Sequence, residues 1–329
     1  MRMTRRVLAT SALALAAAFS GVHALAADAA WPTRQISIIV SYPPGSDTDA
    51  VARMLGEKLS QRLNQPVIID NKPGAGGTIG NTFVGRAAPD GYTLLFTPNP
   101  FTTAPMVMRL PAASSYDVLN GFEPIIQVGT QPLVLVANPG AGVKSVPEMI
   151  AAARSGKQLT YASPGAGSPM HILGEWLNHD AGVKIQHVPY KGVAPSVNDV
   201  VAGHVNTAWV TLGVVAPYVA ANKLIPIAIG DAKRSSLAPN VPTLAEQGYK
   251  DVVVGAWNGF FAPKGTSPEV VRMLNTHLNA ILKQPDVVAK LATFGTLPVG
   301  GSPEVLKETN ATEYKVMGKV IRDLGISAD

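Results

Sequence analysis

Short apolar runs of strand length alternate with amphipathic stretches of helical length along most of this chain, and that alternation leaves few folds open to it. Gln35 to Ser41 reads as a buried strand, and Asp49 to Leu63 as a helix with Val51, Met54, Leu55, Leu59 and Leu63 on one face. Val67 to Asp70 and Tyr92 to Thr97 read as further strands, with a helix between them that follows a glycine cluster and runs to Arg86. The middle repeats the theme in Leu133–Ala137, Leu159–Ala162, Ile185–Val188, Thr207–Leu212 and Ile225–Ile229, with helical stretches between them such as Val146–Arg154 and Met170–Asn178. Near the end, Val252–Ala262 is strand-like, and Pro268–Lys283, Asp286–Ala292 and Pro303–Leu324 are helical. Strand–helix–strand repetition predicts parallel α/β sheets.

No Ser/Gly-rich or charge-rich linker divides the chain, so two lobes must be joined by strands that cross between them. Pro124 to Ala137, interrupted by Gly129 and Pro132, suits the first crossing, and Lys250 to Phe261 the return. This predicts lobe I at roughly 30–128 plus 252–329 and lobe II at roughly 129–251, each a sheet flanked by helices, with a ligand cleft between them at the carboxyl ends of the strands.

The first residues indicate the compartment. Arg2, Arg5 and Arg6 precede an uncharged apolar run from Val7 to Phe19, and Ala24-Leu25-Ala26 places small residues where a signal peptidase cuts. This order predicts a cleaved signal peptide over 1–26 and a periplasmic location; the run is short of the roughly 20 apolar residues a spanning helix needs. Three of the net +5 charges belong to that leader. The rest carries no Lys/Arg block interleaved with aromatics, which argues against nucleic acid as a partner. The absence of cysteine excludes disulfides, thiol chemistry and Cys-based zinc sites. Nothing later approaches a transmembrane run, so a soluble monomer is expected.

Three strand-to-helix loops could carry chemistry. In Tyr42-Pro43-Pro44-Gly45-Ser46-Asp47-Thr48-Asp49, three good N-cap residues stand together, and a helix N-terminus with its amide N–H groups attracts an anion; ordinary capping explains them equally well. Asn71-Lys72-Pro73-Gly74-Ala75-Gly76-Gly77-Thr78-Ile79-Gly80 looks like a nucleotide loop but has Ile79 where GxGxxG needs glycine, and GxxxxGK[ST] is missing. Tyr161-Ala162-Ser163-Pro164-Gly165-Ala166-Gly167-Ser168-Pro169-Met170-His171 offers Ser168 as N-cap and Pro169 at the first helical position. A helix N-terminus contributes about 0.3–1 kcal/mol to holding a charge, and up to about 2 when partly buried. Micromolar affinity needs about 8 kcal/mol. Two helix ends facing across a closing cleft would therefore need direct hydrogen bonds as well, which favours a trap over a surface patch.

Catalytic patterns are weaker. GxSxG and HExxH are missing, and His171, His179 and His187 are spaced by eight rather than the four that joins two ligands on one helical face. His171 and Glu175 could meet at i+4, although a structural polar pair is the simpler reading. No cofactor and no metal are expected. Trp176, Trp209 and Trp257 suit core packing, with Trp209 or Trp257 able to stack on an aromatic ligand if either reaches the cleft.

Several longer words then occur in order: Trp31-Pro32; Pro43-Pro44-Gly45 with Thr48-Asp49; Asn71-Lys72-Pro73-Gly74-Ala75-Gly76-Gly77; and Ala88-Pro89-Asp90-Gly91-Tyr92-Thr93-Leu94. Gly167-Ser168 with His171, His187-Val188-Pro189-Tyr190-Lys191-Gly192, Val241-Pro242-Thr243-Leu244-Ala245-Glu246 and Phe261-Ala262-Pro263 follow. From Trp31 to the end the chain resembles the Bug-type substrate-binding receptors of tripartite tricarboxylate transporters. The resemblance implies a two-lobed periplasmic binding protein fold (type II-like), Venus-flytrap closure, no enzymatic activity, and membrane permease subunits as partners. It implies that the first loop and the Gly-Ser loop of lobe II pinch a ligand carboxylate, while Ala75, Gly76 and Gly77 line the cleft. The expected ligand-contacting residues are Tyr42, Gly45, Ser46, Thr48, Asp49, Ala75, Gly76, Gly77, Asn99, Ser163, Ala166, Gly167, Ser168, His171 and Thr211.

The chain departs from the family pattern at Ser46, where a second glycine is usual, and at Asp47, an acid in a loop expected to receive an anion. Asn206 replaces a common Asp, and Trp209-Val210-Thr211 lacks an acid often found there. These departures favour a mono- or dicarboxylate without an essential amino group, aromatic ones included. The rival readings are a secreted hydrolase or transferase using the same cleft, and a ligand receptor for a membrane sensor.

Overall fold

Two sheets organise the protein, described here over residues 31–327 from a computed structural model. The expected signal segment, 1–26, lies outside the described residues. The first sheet has six strands in the order β11-β4-β10-β3-β1-β2: β1 (Ile36–Val40), β2 (Val67–Asn71), β3 (Thr93–Pro98), β4 (Phe122–Gln131), β10 (Ala256–Pro263) and β11 (Leu297–Pro298). The second has five in the order β7-β6-β8-β5-β9: β5 (Leu133–Ala137), β6 (Thr160–Ser163), β7 (Gln186–Pro189), β8 (Thr207–Thr211) and β9 (Ile225–Ile229). Helices cover both, giving the two-lobed α/β architecture of periplasmic binding proteins.

The sheets are mixed, which corrects the parallel arrangement predicted from element order. β1 runs parallel to β2 and β3, and β6 parallel to β7 and β8, as helix-connected strands should. β10 is antiparallel to both β3 and β4, and β5 is antiparallel to both β8 and β9. The physical reason lies in the crossings. β5 and β10 arrive from the other sheet, so they enter at the edge where their neighbours leave and run the opposite way. Only Pro132 separates β4 from β5. The return strand starts at Ala256 rather than Val252.

Capping set the helix starts that matter for the cleft. Helix α1 (Asp47–Leu63) begins at Ser46, whose Oγ accepts the Asp49 N–H, and it ends at Asn64 in the left-handed region. α2 (Thr78–Gly85) follows the glycine loop, and α3 (Pro100–Val107) follows β3 directly. In lobe II, α4 (Val146–Arg154) and α5 (Pro169–Ala181) start at Ser145 and Ser168, each with a bonded serine cap; proline stands at the second helical position of α4 (Pro147) and at the first of α5 (Pro169). α6 (Val193–Ala202) and α7 (Leu212–Ala220) flank β8, and α8 (Pro268–Leu282), α9 (Pro285–Thr293) and α10 (Pro303–Asp323) complete the chain. Apolar residues of α10, Met317, Val320 and Ile321, belong to the same core as α5 and β5 of the second lobe, so this helix helps tie the lobes together. A second tie lies at Gly213 and Gly295, where an added Cβ on Gly295 would fall 2.5 Å from the Gly213 Cα; only a residue without a side chain permits that approach.

Candidate functional site

The strand register shows which end of each sheet carries the candidate loops. On the first sheet, Val40 pairs with Asn71 and Phe96, Asn258 with Pro98, and Ala256 with Gln131. Ser41, Asn71, Asn99 and Gln131 therefore share one edge. On the second, Ser163 pairs with Pro189, Thr211 with Leu133, and Val134 with Ile229. Gln131-Pro132-Leu133 joins the two edges directly, at the end of an open α/β sheet where ligands commonly bind.

In the lobe I loop, Ser46 Oγ donates to the Pro43 carbonyl at 2.8 Å while capping α1. The buried Asp49 carboxylate is the anchor: it accepts the Gly45 N–H at 2.9 Å, Arg53 Nε at 3.0 Å and Asn71 Nδ2 at 2.8 Å. Burial alone would raise this carboxyl; the bonds from Arg53, Gly45 and Asn71 outweigh it and hold the group below the ordinary carboxylate range. Asn71 Nδ2 also donates to the Tyr42 carbonyl at 3.0 Å, so one amide joins the first loop to the second. Asp47 is turned to internal donors, with Oδ1 accepting the Thr48 N–H at 2.8 Å and Oδ2 accepting Gln131 Nε2 at 3.1 Å. The half-buried Tyr42 ring lies against Gly77, and burial, with Asp47 nearby, raises its phenol. Thr48 is buried in the first turn of α1. The Asp47 N–H, at the helix end, has no acceptor among the described residues.

The glycine loop is conformationally unusual: Gly74, Ala75, Gly76 and Gly77 have consecutive positive φ values of 128°, 47°, 64° and 94°. For Ala75 that conformation costs about 1–2 kcal/mol, a strain located beside the cleft. The loop leads into α2, whose first residue, Thr78, has a buried Oγ1 with no partner among the described residues. Thr211, at the start of α7 in the other lobe, is in the same position. A buried unpaired hydroxyl is uncommon enough to mark both places.

The lobe II loop is closely cross-bonded. Ser168 Oγ donates to the Gly165 carbonyl at 2.7 Å and accepts the His171 N–H at 3.2 Å. The Ser168 N–H donates to Gly165 O at 3.2 Å, and the Gly165 N–H to Ser163 Oγ at 3.3 Å. The Gly167 N–H donates to His171 Nδ1 at 3.1 Å. That leaves Ala166 and Met170 with amide N–H groups that have no acceptor among the described residues. Beneath the loop, Tyr161, His187 and His171 form a continuous stack, with centroids 4.9 and 4.1 Å apart and rings inclined by 27° and 14°. Burial pushes His171 down to about 4; burial and then His171 push His187 down to about 3, so both imidazoles are neutral at pH 7. Ser163 Oγ and His187 Nε2 are hydrogen-bonded at 2.7 Å, but Ser163 is 0% exposed, which keeps this serine–histidine pair from acting on a cleft ligand.

Other expected contacts occupy less obvious positions. Asn99 is buried at the first sheet's edge, and its Nδ2 donates to Gly255 O at 3.0 Å and to Glu313 Oε1 at 2.8 Å. Trp257 Nε1 donates to the other oxygen of Glu313, whose carboxyl burial raises to about 8 against the pull of those two bonds. Trp209 and Trp257 are packed in the cores of lobe II and lobe I, each less than 5% exposed. Asn206 accepts the Thr160 N–H at 2.9 Å, at the end of the second sheet away from Ser163 and Thr211. This corrects the use of Asn206 as a clue to the ligand.

Helix α3 was missed altogether by sequence reasoning. Thr103 Oγ1 donates to Gly167 O at 3.2 Å, Val107 meets Gly167, and Ala104 meets Gly76. One helix thus supports the glycine loop of lobe I and the serine loop of lobe II. Its only sequence signal was Pro100, a first-turn proline immediately after a strand. Asn71 and Gln131, which hold the first loop, gave none.

Residues 51–326 match the family model described as the tripartite tricarboxylate transporter family receptor. The chain belongs to that family. Protein BugT of Bordetella pertussis is 37% identical over 329 residues, covering 99% of each chain. Among solved structures, Rpa4515 of R. palustris with adipate superposes with a TM-score of 0.82 at 32% identity, covering 90% of this chain and 99% of the other. MatC from Rhodopseudomonas palustris with bound malate gives 0.78 at 30% identity, covering 88% and 100%. This Bug-type receptor therefore shares its fold and family with periplasmic binding proteins, and the relatives are substrate-binding proteins rather than enzymes.

Proposed function

We propose that this chain is a periplasmic receptor that captures a small mono- or dicarboxylate between its lobes and presents it to the permease subunits of a tripartite transporter. The observation that carries the reading is the pair of helix N-termini on the two joined edges. α1 is capped by Ser46 and α5 by Ser168, and the open amides of Asp47, Ala166 and Met170 lie at or beside these ends. Such ends favour an anion by dipole and by direct donation. Adipate in one structural neighbour and malate in another support a carboxylate. We place the joins between lobes at Pro132 and Gly255.

Roles divide among the expected residues. Ser46, Ala166 and Ser168 lie at the two pincers, with Thr211 and the loop Ala75–Gly77 on the walls. Asp49, Asn99 and Ser163 act from behind, since their polar atoms are bonded within the protein. The buried Trp209 and Trp257 offer no exposed indole face, which favours an aliphatic ligand over an aromatic one.

A thermal-shift panel of succinate, malate, glutarate, adipate and simple monocarboxylates tests this. A ligand at 100 times its Kd adds about 2.7 kcal/mol, which raises Tm by several degrees. No shift with any member would refute the carboxylate assignment.

A further inference from the structure

We propose that His171 is a positioning residue of the lobe II loop: by accepting the Gly167 N–H and stacking on His187 it holds residues 163–168 in shape for a ligand, and proton uptake by the imidazole pair releases that hold. This rests on the carboxylate reading of the cleft.

Gly167 is fixed from three sides. Its N–H donates to His171 Nδ1 at 3.1 Å, its carbonyl accepts Thr103 Oγ1 at 3.2 Å, and its Cα lies against Val107, with φ at 76°. Two of these contacts come from lobe I, and only the His171 bond belongs to the loop's own lobe. Accepting an N–H requires a lone pair on Nδ1, so the proton of the neutral ring is on Nε2. A doubly protonated ring would set one N–H against another at that site. His187 lies parallel at 4.1 Å, so charging both rings would add repulsion, and its Nε2 is bonded to Ser163 at the other end of the same loop.

Among the described residues His171 has no counter-charge in contact, and burial alone shifts it. Tyr161 stacks on the far side of His187 and donates to Glu175 Oε1, which belongs to the helix of His171. The residues of α10 that pack on this core are Met317, Val320 and Ile321, and α3 presents Thr103 and Val107. The pair is thus suited to a neutral state, and the loop's shape depends on that state.

The test uses the whole mature protein and three forms: wild type, His171→Phe and His171→Asn. Phenylalanine keeps a stackable ring but no acceptor; asparagine supplies an acceptor that does not titrate. Adipate is the probe, with malate as the second. At pH 7, His171→Phe is expected to bind at least tenfold more weakly, and His171→Asn to recover at least fivefold of that loss. On acidification the wild-type affinity should fall relative to His171→Asn, a ratio from which the ligand's own protonation cancels. In a ligand-free arm, the Gly167 amide resonance of wild type should move with pH on the same midpoint as the His171 ring, and stay still in His171→Asn. Equal affinity of His171→Phe and wild type, or a Gly167 amide indifferent to the His171 titration, would overturn the proposal. If neither probe binds wild type, the ligand class falls, and the Gly167 arm alone decides the positioning role.

Discussion

Replacing Asp49 with alanine should cost about 3 kcal/mol of folding stability, and the figure comes from which of its partners can be rescued by water. The carboxylate is only 5% exposed, whereas Arg53 is 52% exposed, so the ion pair itself counts for little. What is lost is a charged acceptor for the Gly45 N–H and the Asn71 amide, at 2.9 and 2.8 Å. Hydrogen bonds to charged groups contribute about 1.5–3 kcal/mol each, and exposed Gly45 regains part of its bond from solvent. At about 2–4 °C per kcal/mol for a large domain, Tm should fall by roughly 6–12 °C. Urea unfolding followed by tryptophan fluorescence at pH 7 reads the free energy directly. Asp49→Asn, which retains an acceptor without charge, should lose about half as much. The sign with pH follows from the depressed folded value. The Asp49 contribution is complete above the unfolded carboxyl pKa of about 3.9 and disappears as pH falls through the lower folded one, so wild type and Asp49→Asn should converge in acid. A loss under 1 kcal/mol for the alanine variant would show that Asp49 does not anchor the loop.

Two further outcomes can be checked. By ring-resonance titration, His171 and His187 should change state near 4 and 3 rather than 6.5; because the unfolded chain takes up these protons first, they should lower stability as pH drops through the interval from 6.5 to 4, on the order of 3 kcal/mol for His171 alone. A ring that titrates near 6.5 would show that it is solvated. Gly174→Ala would put a Cβ 2.3 Å from the Tyr161 ring and should cost about 1–3 kcal/mol while disturbing the Tyr161–His187–His171 stack, read by urea unfolding and by the histidine resonances; unchanged values would mean the ring has room to move.

The two pincers were legible in the sequence because capping is local chemistry. Ser46 and Ser168 sit directly between a strand-like run and a helical one, and each bonds the amide three residues on. Strand direction was not legible, since a crossing strand such as β10 has the composition of any buried strand. α7 escaped notice for a related reason: Leu212 to Ala220 continues the apolar run of β8 with no break in hydrophobicity, so the boundary is set by tertiary packing. The tethers behind the loops, Asn71, Gln131 and Glu313, meet partners 22, 84 and 214 positions away, distances at which no sequence window connects them. The stack of His171 on His187 depends on two parallel strands and a helix coming together, and a spacing rule built for one helix passes over it.

The position of β10 has a consequence for how the chain acquires its shape. It is a central strand of the first sheet, lying between β3 and β4, yet it is made only after the whole of the second sheet. Until residues 256–263 arrive, the first sheet exists as two unjoined pieces, one of β1, β2 and β3 and the other β4 alone. The second sheet is continuous in sequence, and its contacts close shorter loops, which form faster. The order of synthesis and the cost of loop closure thus both favour lobe II as the unit that forms first. Lobe I is then completed by a strand inserting into a gap already bracketed by its neighbours.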